Sequence, residues 1–201
     1  MITLYHAPQS RSVRPRWLLE ELGADFKIVP IDMSKQEHKS EAHLRVHPHG
    51  QVPALTDDGL TLIESAAICL HLADLHPDAG LAPPPGTHER ALLYQWTIFA
   101  PAELEPPLIE AAMQAQRDPD RAAAARRRFD DAAGAVSSAL DGSDYLVGGR
   151  FTVADVLVGS TVAFTERIGF ADELPAHLRD YLARLAKRPA YQRALARTTS
   201  G

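Results

Sequence analysis

Apolar residues recur at two different spacings along the first part of the chain. Short runs rich in β-branched and aromatic residues predict strands, and apolar residues three and four apart predict helices between them. Strands are expected at 2–5, 26–31, 55–56 and 60–63, with helices at 13–22, 41–46 and 65–75. The last two strands flank the turn Asp57-Asp58-Gly59, whose Asp-Gly pair favours a tight hairpin. This order predicts a small mixed sheet with helices on its faces.

Strand patterns nearly vanish after residue 77, and helical spacing takes over. Helices are expected at 89–115, 120–140, 153–168, 178–187 and 190–197, the first of them interrupted by its prolines. Thr152 and Asp155 have the spacing of a capping box, with Phe151 placed to pack against Val156. The change of pattern coincides with Pro83-Pro84-Pro85-Gly86, the most linker-like stretch of the chain. We therefore expect an α/β domain at residues 1–77, a linker at 78–87 and an all-α domain at 88–201.

Charge and composition exclude several classes of protein. The net charge of −5 argues against a nucleic-acid partner, because phosphate binding requires clustered cations. The run Arg126-Arg127-Arg128 precedes aspartates in a helical pattern and indicates a solvated helix face. No apolar stretch approaches the roughly 18 residues of a membrane span, and no leader pattern precedes the first strand, so a cytoplasmic protein is expected. A single cysteine, Cys69, excludes an intrachain disulfide and a cysteine-based zinc site.

Two short segments of the first domain carry candidate binding chemistry. Pro53 has no N–H and belongs at a strand entrance, where a cis peptide bond would turn the backbone of Val52 toward a peptide-like ligand. Glu64 supplies an anion and Ser65 a hydroxyl at a helix N-terminus, whose free N–H groups attract anions. A ligand with an amide backbone, a carboxylate and an ammonium group would find a partner for each, and glutathione is such a ligand. The alternatives are a plain strand entrance and a plain helix cap.

These segments, together with the proline linker and the helical second domain, resemble the glutathione S-transferase family over essentially the whole chain. The most specific matches are HPHGQVPAL at residues 47–55, LIESAAI at 62–68, and the capping box FTVAD at 151–155. The resemblance implies a thioredoxin-like α/β first domain that binds glutathione, an all-α second domain, and a homodimer.

Residue by residue, the resemblance assigns the peptide part of glutathione to five positions. Val52 would offer its backbone to the cysteinyl part, Pro53 would hold the cis bond, and Gln51 would add a polar contact. Glu64 would meet the γ-glutamyl ammonium group, and Ser65 would bind the γ-glutamyl carboxylate.

The loop between the first strand and the first helix contains the candidates for thiolate stabilisation. A hydroxyl hydrogen bond to sulfur, together with a helix N-terminus, lowers a thiol pKa without a general base. The loop holds Ser10 and Ser12 but no cysteine, which resembles the serine-type members. The resemblance implies Ser10 as the donor, because its spacing to Arg14 is similar to the serine-to-arginine spacing of those members. Ser12 is the runner-up, Arg11 could supply positive potential instead, and both serines could simply cap the helix. Cys69 lies mid-helix and is interpreted as a buried, unreactive thiol.

Four histidines crowd one segment of the first domain, at positions 38, 43, 47 and 49. No carboxylate repeats among them at a ligand spacing, so no metal site is expected. The resemblance implies instead that His38, with Lys39, reaches the glycyl carboxylate of glutathione.

The second substrate is expected between the domains, against Trp96, Phe99 and Glu103, although their spacing is also that of core residues. The function expected is a transferase that adds the glutathione thiolate to a hydrophobic electrophile, with glutathione as co-substrate and no separate cofactor. A glutathione-dependent isomerase and a non-catalytic binding protein of the same fold are the alternatives.

Overall fold

The computed structural model describes residues 1–196. The strands are β1 (Ile2–His6), β2 (Phe26–Pro30), β3 (Ala54–Asp57) and β4 (Leu60–Ile63). The helices are α1 (Val13–Leu22), α2 (Glu41–Leu44), α3 (Ser65–Leu75), α4 (His88–Phe99), α5 (Glu105–Gln114), α6 (Pro119–Ala139), α7 (Val153–Val162), α8 (Phe164–Ile168), α9 (Ala176–Ala186) and α10 (Pro189–Leu195). None of these helices is both long and apolar enough to cross a membrane.

The four strands form one mixed sheet, as the sequence predicts, and their order in it is β2-β1-β3-β4. β1 is parallel to β2 and antiparallel to β3, and β3 is antiparallel to β4. Leu4 and Leu55 lie directly opposite each other on β1 and β3, and both are fully buried. Leu18 of α1 and Ile68 of α3 are also fully buried, so the amphipathic faces of these helices contribute to the core of this sheet unit.

The topology brings several chain segments to one edge of the sheet. β1, β2 and β4 run in the same direction, so their C-terminal ends meet at the edge where β3 begins. The register places Tyr5 opposite Ala54 and Ala54 opposite Ile63. The loop before α1, the segment before β3 and the start of α3 therefore leave the sheet side by side.

The described chain divides into two packing units, one of Leu81–Ala186 and one of Met1–Gly80 with the residues from Lys187 onward. This division differs from the expected domains, which placed every helix after the linker in the second one. The expected helix at 190–197 is α10, although Arg197 lies outside the described residues. Helical periodicity does not reveal which surface a helix packs against, so this arrangement could not be predicted from the pattern of residues.

α10 contacts α1 through an aromatic ring pair and an arginine–carboxylate ion pair. The rings of Trp17 and Tyr191 lie 4.6 Å apart. The carboxylate of Glu21 accepts hydrogen bonds from two nitrogens of Arg188, at 2.6 and 2.8 Å. Bidentate arginine–carboxylate pairs add both energy and geometric specificity, so this pair contributes to the packing of α10 against α1.

Two of the expected helices are divided in the second unit. A π-helical turn at Ala100–Leu104, which contains Pro101, separates α4 from α5. The expected helix at 153–168 is also divided, with α7 ending at Val162 and α8 following. Near this break, the hydroxyl of Thr161 donates a hydrogen bond to the carbonyl of Leu157 at 2.9 Å. Side-chain hydrogen bonds of this kind compete with the backbone hydrogen bonds of a helix.

Asp155 organises the start of α7. One carboxylate oxygen of Asp155 accepts the backbone N–H of Thr152 at 2.8 Å. This confirms the interaction of the expected capping box in which the Asp155 side chain reaches back to the N-cap residue. The other oxygen accepts the N–H of Leu146 at 3.1 Å and the hydroxyl of Tyr181 at 3.0 Å. The side chain is fully buried, and burial raises its pKa to about 6 against these hydrogen bonds.

We expect Asp155→Asn to cost about 2–3 kcal/mol of unfolding free energy, although it is nearly isosteric. Each carboxylate oxygen faces a backbone N–H, so either orientation of the amide places its NH₂ group against a donor. Tyr181→Phe is the matched control, since it removes only one hydroxyl donor, and it should cost about 1 kcal/mol. Urea unfolding measures both, and an asparagine variant no less stable than the phenylalanine variant would contradict this role.

Candidate functional site

The loop between β1 and α1 holds both serines against the end of β1. Ser12 is fully buried, and its hydroxyl oxygen accepts the N–H of Ala7 at 3.1 Å. The same oxygen lies 2.7 Å from Nδ1 of His6 and 2.7 Å from the hydroxyl oxygen of Ser10. Ser12 occupies the N-cap position of α1 but makes no side-chain capping hydrogen bond, so the helix-cap alternative does not describe it.

Ser10 is the serine with access to a ligand. Its side chain is half-buried, and its hydroxyl donates to the carbonyl of Ala7 at 2.8 Å. Arg11 is exposed. Gln9 has a φ of 59°, a conformation that residues other than glycine rarely adopt. A non-glycine residue in this conformation often marks a functional loop.

The segment before β3 packs against the serine loop. The Val52–Pro53 peptide bond is cis, as expected. The side chain of Val52 is buried in a small cluster with Ala7 and Ile31. Gln51 is exposed, and its carbonyl oxygen accepts a hydrogen bond from Nε2 of His43 at 2.7 Å. The same residue, Ala7, thus supports Ser10 through its carbonyl and Val52 through its side chain.

The start of α3 joins the same edge. Ser65 is buried, and its hydroxyl oxygen accepts a hydrogen bond from Nη1 of Arg14 at 3.2 Å. Glu64 is exposed and has φ 70° and ψ 114°, an unfavourable backbone conformation for a residue with a side chain. Strain of this kind is retained where the surroundings require it, and it accompanies binding sites.

The structure therefore brings together three groups of predicted residues: the serine loop, Gln51 to Pro53, and Glu64 with Ser65. The sequence pattern indicated neither the contact of Arg14 with Ser65 nor a role for His6. It singled out His43 only as one of four crowded histidines and gave no sign of its hydrogen bond to the Gln51 carbonyl. One signal was available for the first of these. α1 carries two arginines among its apolar residues, and cations inside an apolar helix pattern indicate buried polar partners.

His38 is half-buried and lies beside this edge because of Gly50. Gly50 has a φ of +58°, and a Cβ atom there would lie 2.5 Å from the carbonyl oxygen of His38 and 2.9 Å from Cδ of Lys39. The Nζ of Lys39 donates to the carbonyl of His49 at 2.9 Å. Only glycine permits this close approach of two backbone segments.

We expect Gly50→Ala to destabilise the protein by roughly 2–4 kcal/mol, the sum of a positive-φ penalty and a backbone clash. Gly23→Ala is a matched control, because Gly23 has a φ of +59° and nothing lies within 4 Å of the position that its Cβ would take. The control should cost only about 1 kcal/mol. Thermal unfolding of both variants checks the difference, and equal losses would show that the approach of His38 is not constrained by Gly50.

The histidine segment has no arrangement suited to a metal. Among residues 1–196, no group of three or more histidine, cysteine or acidic side chains could hold an ion. The rings of His43 and His47 stack with centroids 6.2 Å apart. Burial, and then repulsion from His43, lower the pKa of His47 against the attraction of Glu64.

Cys69 is fully buried in α3, and burial raises the pKa of its thiol despite the nearby charge of Arg14. A thiol that does not ionise near neutral pH is a poor nucleophile. Cysteine-based chemistry by this chain is therefore disfavoured, in agreement with the sequence interpretation.

The three residues expected to line a second-substrate pocket lie in the second unit. Trp96 is buried, and its ring meets that of Phe99 edge-to-face at 5.3 Å. Phe99 is half-buried, and Glu103, in the π-helical turn, is exposed. Trp96 thus serves the core of its unit, and Phe99 and Glu103 have the greater access to a ligand.

Comparison with known proteins gives consistent results for both halves of the chain. Residues 1–74 match the family model of the glutathione S-transferase N-terminal domain, and residues 119–184 match that of the C-terminal domain. The chain is 30% identical over 197 residues to the protein named glutathione S-transferase GstA of Escherichia coli O157:H7, covering 96% of each. It is also 30% identical over 214 residues to the protein named disulfide-bond oxidoreductase YfcG of Escherichia coli strain K12, covering 100% of this chain and 97% of the relative.

Solved structures agree with this similarity. A sphingomonad glutathione S-transferase, solved in complex with glutathione, is 34% identical and superposes with a TM-score of 0.84 over 96% of both chains. The expected fold class, a thioredoxin-like domain followed by a helical domain, is thereby confirmed.

Proposed function

We propose, since this chain belongs to the glutathione S-transferase family, that it binds glutathione at the sheet edge and conjugates its thiolate to a hydrophobic electrophile. The observation that carries this proposal is the meeting of Ser10, Val52 and Ser65 at one edge of one unit. The resemblance gives each of them a different part of the same tripeptide, and the sheet order brings all three parts within reach of one ligand.

The peptide end of the ligand is matched by backbone and charge. Val52 offers its backbone to the cysteinyl part, as an extended peptide pairs with a strand. Ser65 lies at the N-terminus of α3, where the helix dipole favours a carboxylate. The guanidinium of Arg14, which donates to the Ser65 hydroxyl, adds positive charge at the same place. Glu64 meets the ammonium group, and Gln51 adds a polar contact.

The thiol end is matched by a hydroxyl. Ser10 turns its O–H from the carbonyl of Ala7 to the sulfur, and α1 points its N-terminus at the same loop. Both interactions favour the thiolate, so the thiol loses its proton to water near neutral pH. The thiolate then forms a carbon–sulfur bond with the electrophile, and the leaving group departs with the bonding electrons.

A second candidate is glutathione-dependent disulfide reduction, favoured by the similarity to a relative named as a disulfide-bond oxidoreductase. Because Cys69 is buried, the reaction would have to use glutathione thiolates alone. The first glutathione thiolate attacks a disulfide, which breaks its S–S bond, forms a mixed disulfide and releases one thiolate. A second glutathione thiolate then attacks the mixed disulfide, which forms glutathione disulfide and releases the other thiolate, and both thiolates take protons from water. The same bound thiolate could also serve an isomerase, which would turn over without net loss of glutathione.

Steady-state assays with the full chain separate these reactions. Conjugation predicts glutathione consumption with an aryl halide or epoxide and a stoichiometric thioether product. Turnover only with a disulfide would replace the first proposal by the second. Glutathione binding without any turnover would favour a binding protein.

A homodimer, also implied by the family, is tested separately by light scattering.

A further inference from the structure

A row of four polar side chains, which we call the relay, runs from inside α1 to the proposed thiolate donor. It consists of Arg16, His6, Ser12 and Ser10. Arg16 is 6% exposed, His6 1% and Ser12 0%, so solvent cannot fill their hydrogen-bonding positions. Because the relay acts on the state of glutathione bound at Ser10, its role rests on the proposed function.

The proton positions in the relay follow from what each group can donate. A guanidinium has no acceptor, and Nη1 of Arg16 lies 3.4 Å from Nε2 of His6. Nε2 therefore accepts, and in a neutral ring the proton resides on Nδ1. Burial, and then the charge of Arg16, lower the pKa of His6 to about 4, which keeps the ring neutral at neutral pH.

The Nδ1–H of His6 then donates to the oxygen of Ser12 at 2.7 Å. The N–H of Ala7 donates to the same oxygen at 3.1 Å. A hydroxyl oxygen accepts at most two hydrogen bonds, so the Ser12 hydroxyl can make a further hydrogen bond only as a donor. That proton has two possible acceptors, the oxygen of Ser10 at 2.7 Å and the carbonyl of Ala7 at 3.0 Å.

The shorter contact directs the Ser12 proton to Ser10. The backbone N–H of Ser12 also donates to the Ser10 oxygen, at 3.2 Å. Both acceptor positions of Ser10 are then occupied, and its own proton goes to the Ala7 carbonyl at 2.8 Å. Ser10 can therefore donate a hydrogen bond to a ligand but cannot accept one.

We propose that His6 and Arg16 are positioning residues that orient the hydroxyls of Ser12 and Ser10, so that Ser10 donates to the glutathione sulfur and rejects the protonated thiol. A thiolate accepts a hydrogen bond from the Ser10 hydroxyl, whereas the S–H of a protonated thiol finds no acceptor there. The difference lowers the pKa of the bound thiol, and the released proton passes to water. The relay thus selects a protonation state of the substrate without itself gaining or losing a proton.

The test compares two substitutions of His6 in the full chain. His6→Leu removes the Nδ1–H, whereas His6→Asn can place an amide N–H in the same position. Titration of bound glutathione by the ultraviolet absorbance of its thiolate gives the thiol pKa directly. We expect His6→Leu to raise the pKa of the bound thiol by about one unit, which lowers the ratio of thiolate to thiol about tenfold at any given pH. His6→Asn should restore most of it, and calorimetric affinity for an S-alkylated glutathione should stay within about threefold in both.

His76→Leu is the control, because it also removes an imidazole hydrogen bond, to the carbonyl of Leu72, at the opposite end of α3 from Ser65. It should leave the bound thiol pKa unchanged. An unchanged thiol pKa in His6→Leu, or equal defects in His6→Leu and His6→Asn, would overturn the relay. If His6→Leu does not fold, Ser12→Ala and Ser12→Thr give the same contrast, since only threonine keeps the hydroxyl. If the wild-type chain binds no glutathione thiolate, the proposed function itself is overturned. If the wild-type chain binds the thiolate and the His6 variants ionise it equally well, only the relay is overturned.

Discussion

Ser10→Ala is expected to lower kcat/KM for conjugation about a hundredfold, the usual cost of removing a hydrogen-bond donor from a developing or stabilised anion. The half-buried Ser10 hydroxyl is the loop donor that can turn to a ligand, since Ser12 is fully enclosed by His6, Ala7 and Ser10. The affinity for glutathione should change less than about threefold, because the peptide contacts remain. Initial rates at neutral pH, with calorimetry for binding, measure the two effects separately.

Ser34→Ala provides the control for this experiment. Ser34 lies in the same unit, is exposed, and donates only to the nearby carboxylate of Asp32 at 2.6 Å. Its removal should leave kcat/KM unchanged. Full activity in Ser10→Ala would show that another group, such as Ser12 or Arg11, stabilises the thiolate. Full activity in the double variant Ser10→Ala, Ser12→Ala would remove the serine role altogether.

Arg14→Leu is expected to weaken glutathione binding at least tenfold, about 1.4 kcal/mol or more. Arg14 is 3% exposed, and its Nη1 donates to the hydroxyl oxygen of Ser65. This bond occupies an acceptor position of Ser65 and leaves its proton to meet the γ-glutamyl carboxylate. The substitution removes both that orientation and a positive charge at the helix N-terminus. Calorimetry with glutathione and with S-methylglutathione measures the loss for thiol-bearing and thiol-free ligands.

Arg14→Lys tests the same contact with the charge retained. Lysine has no planar fork, so its effect should be smaller than that of leucine but not absent. Arg45→Leu is the matched control, since Arg45 is exposed and pairs at the surface with Glu41. It should not alter the affinity. A wild-type affinity in Arg14→Leu, with thermal unfolding showing an intact fold, would exclude Arg14 from the binding site.

Much of the first unit could be predicted because its signals are local. The Asp57-Asp58-Gly59 turn fixes the hairpin, and the position of Pro53 fixes the entrance of β3. The spacing of Thr152 and Asp155 likewise identifies the start of α7 in the second unit, since a capping box lies within one turn. Residues 51–65 could be assigned to one ligand because their backbone and side-chain chemistry, and the resemblance they carry, lie in two short contiguous segments.

The remaining features depend on contacts distant in sequence. Arg188 meets Glu21 across 167 positions, and no periodicity encodes such a pairing. In the sequence, nothing distinguishes His6 from any other residue at the end of a strand. Its role becomes visible only from its contacts with Ser12 and Arg16 in the folded chain. The backbone conformation of Glu64 likewise results from the junction between β4 and α3, where propensity predicts an ordinary cap. Local rules fail at these positions because contacts between elements, and not the single element, determine the arrangement.

A crystal structure of the wild-type chain with glutathione measures the central assignment most directly. The sulfur should lie within hydrogen-bonding distance of the Ser10 hydroxyl, with the γ-glutamyl carboxylate on Ser65 and the cysteinyl backbone on Val52. Glutathione found away from the start of α3, or with its sulfur turned from the serine loop, would contradict it.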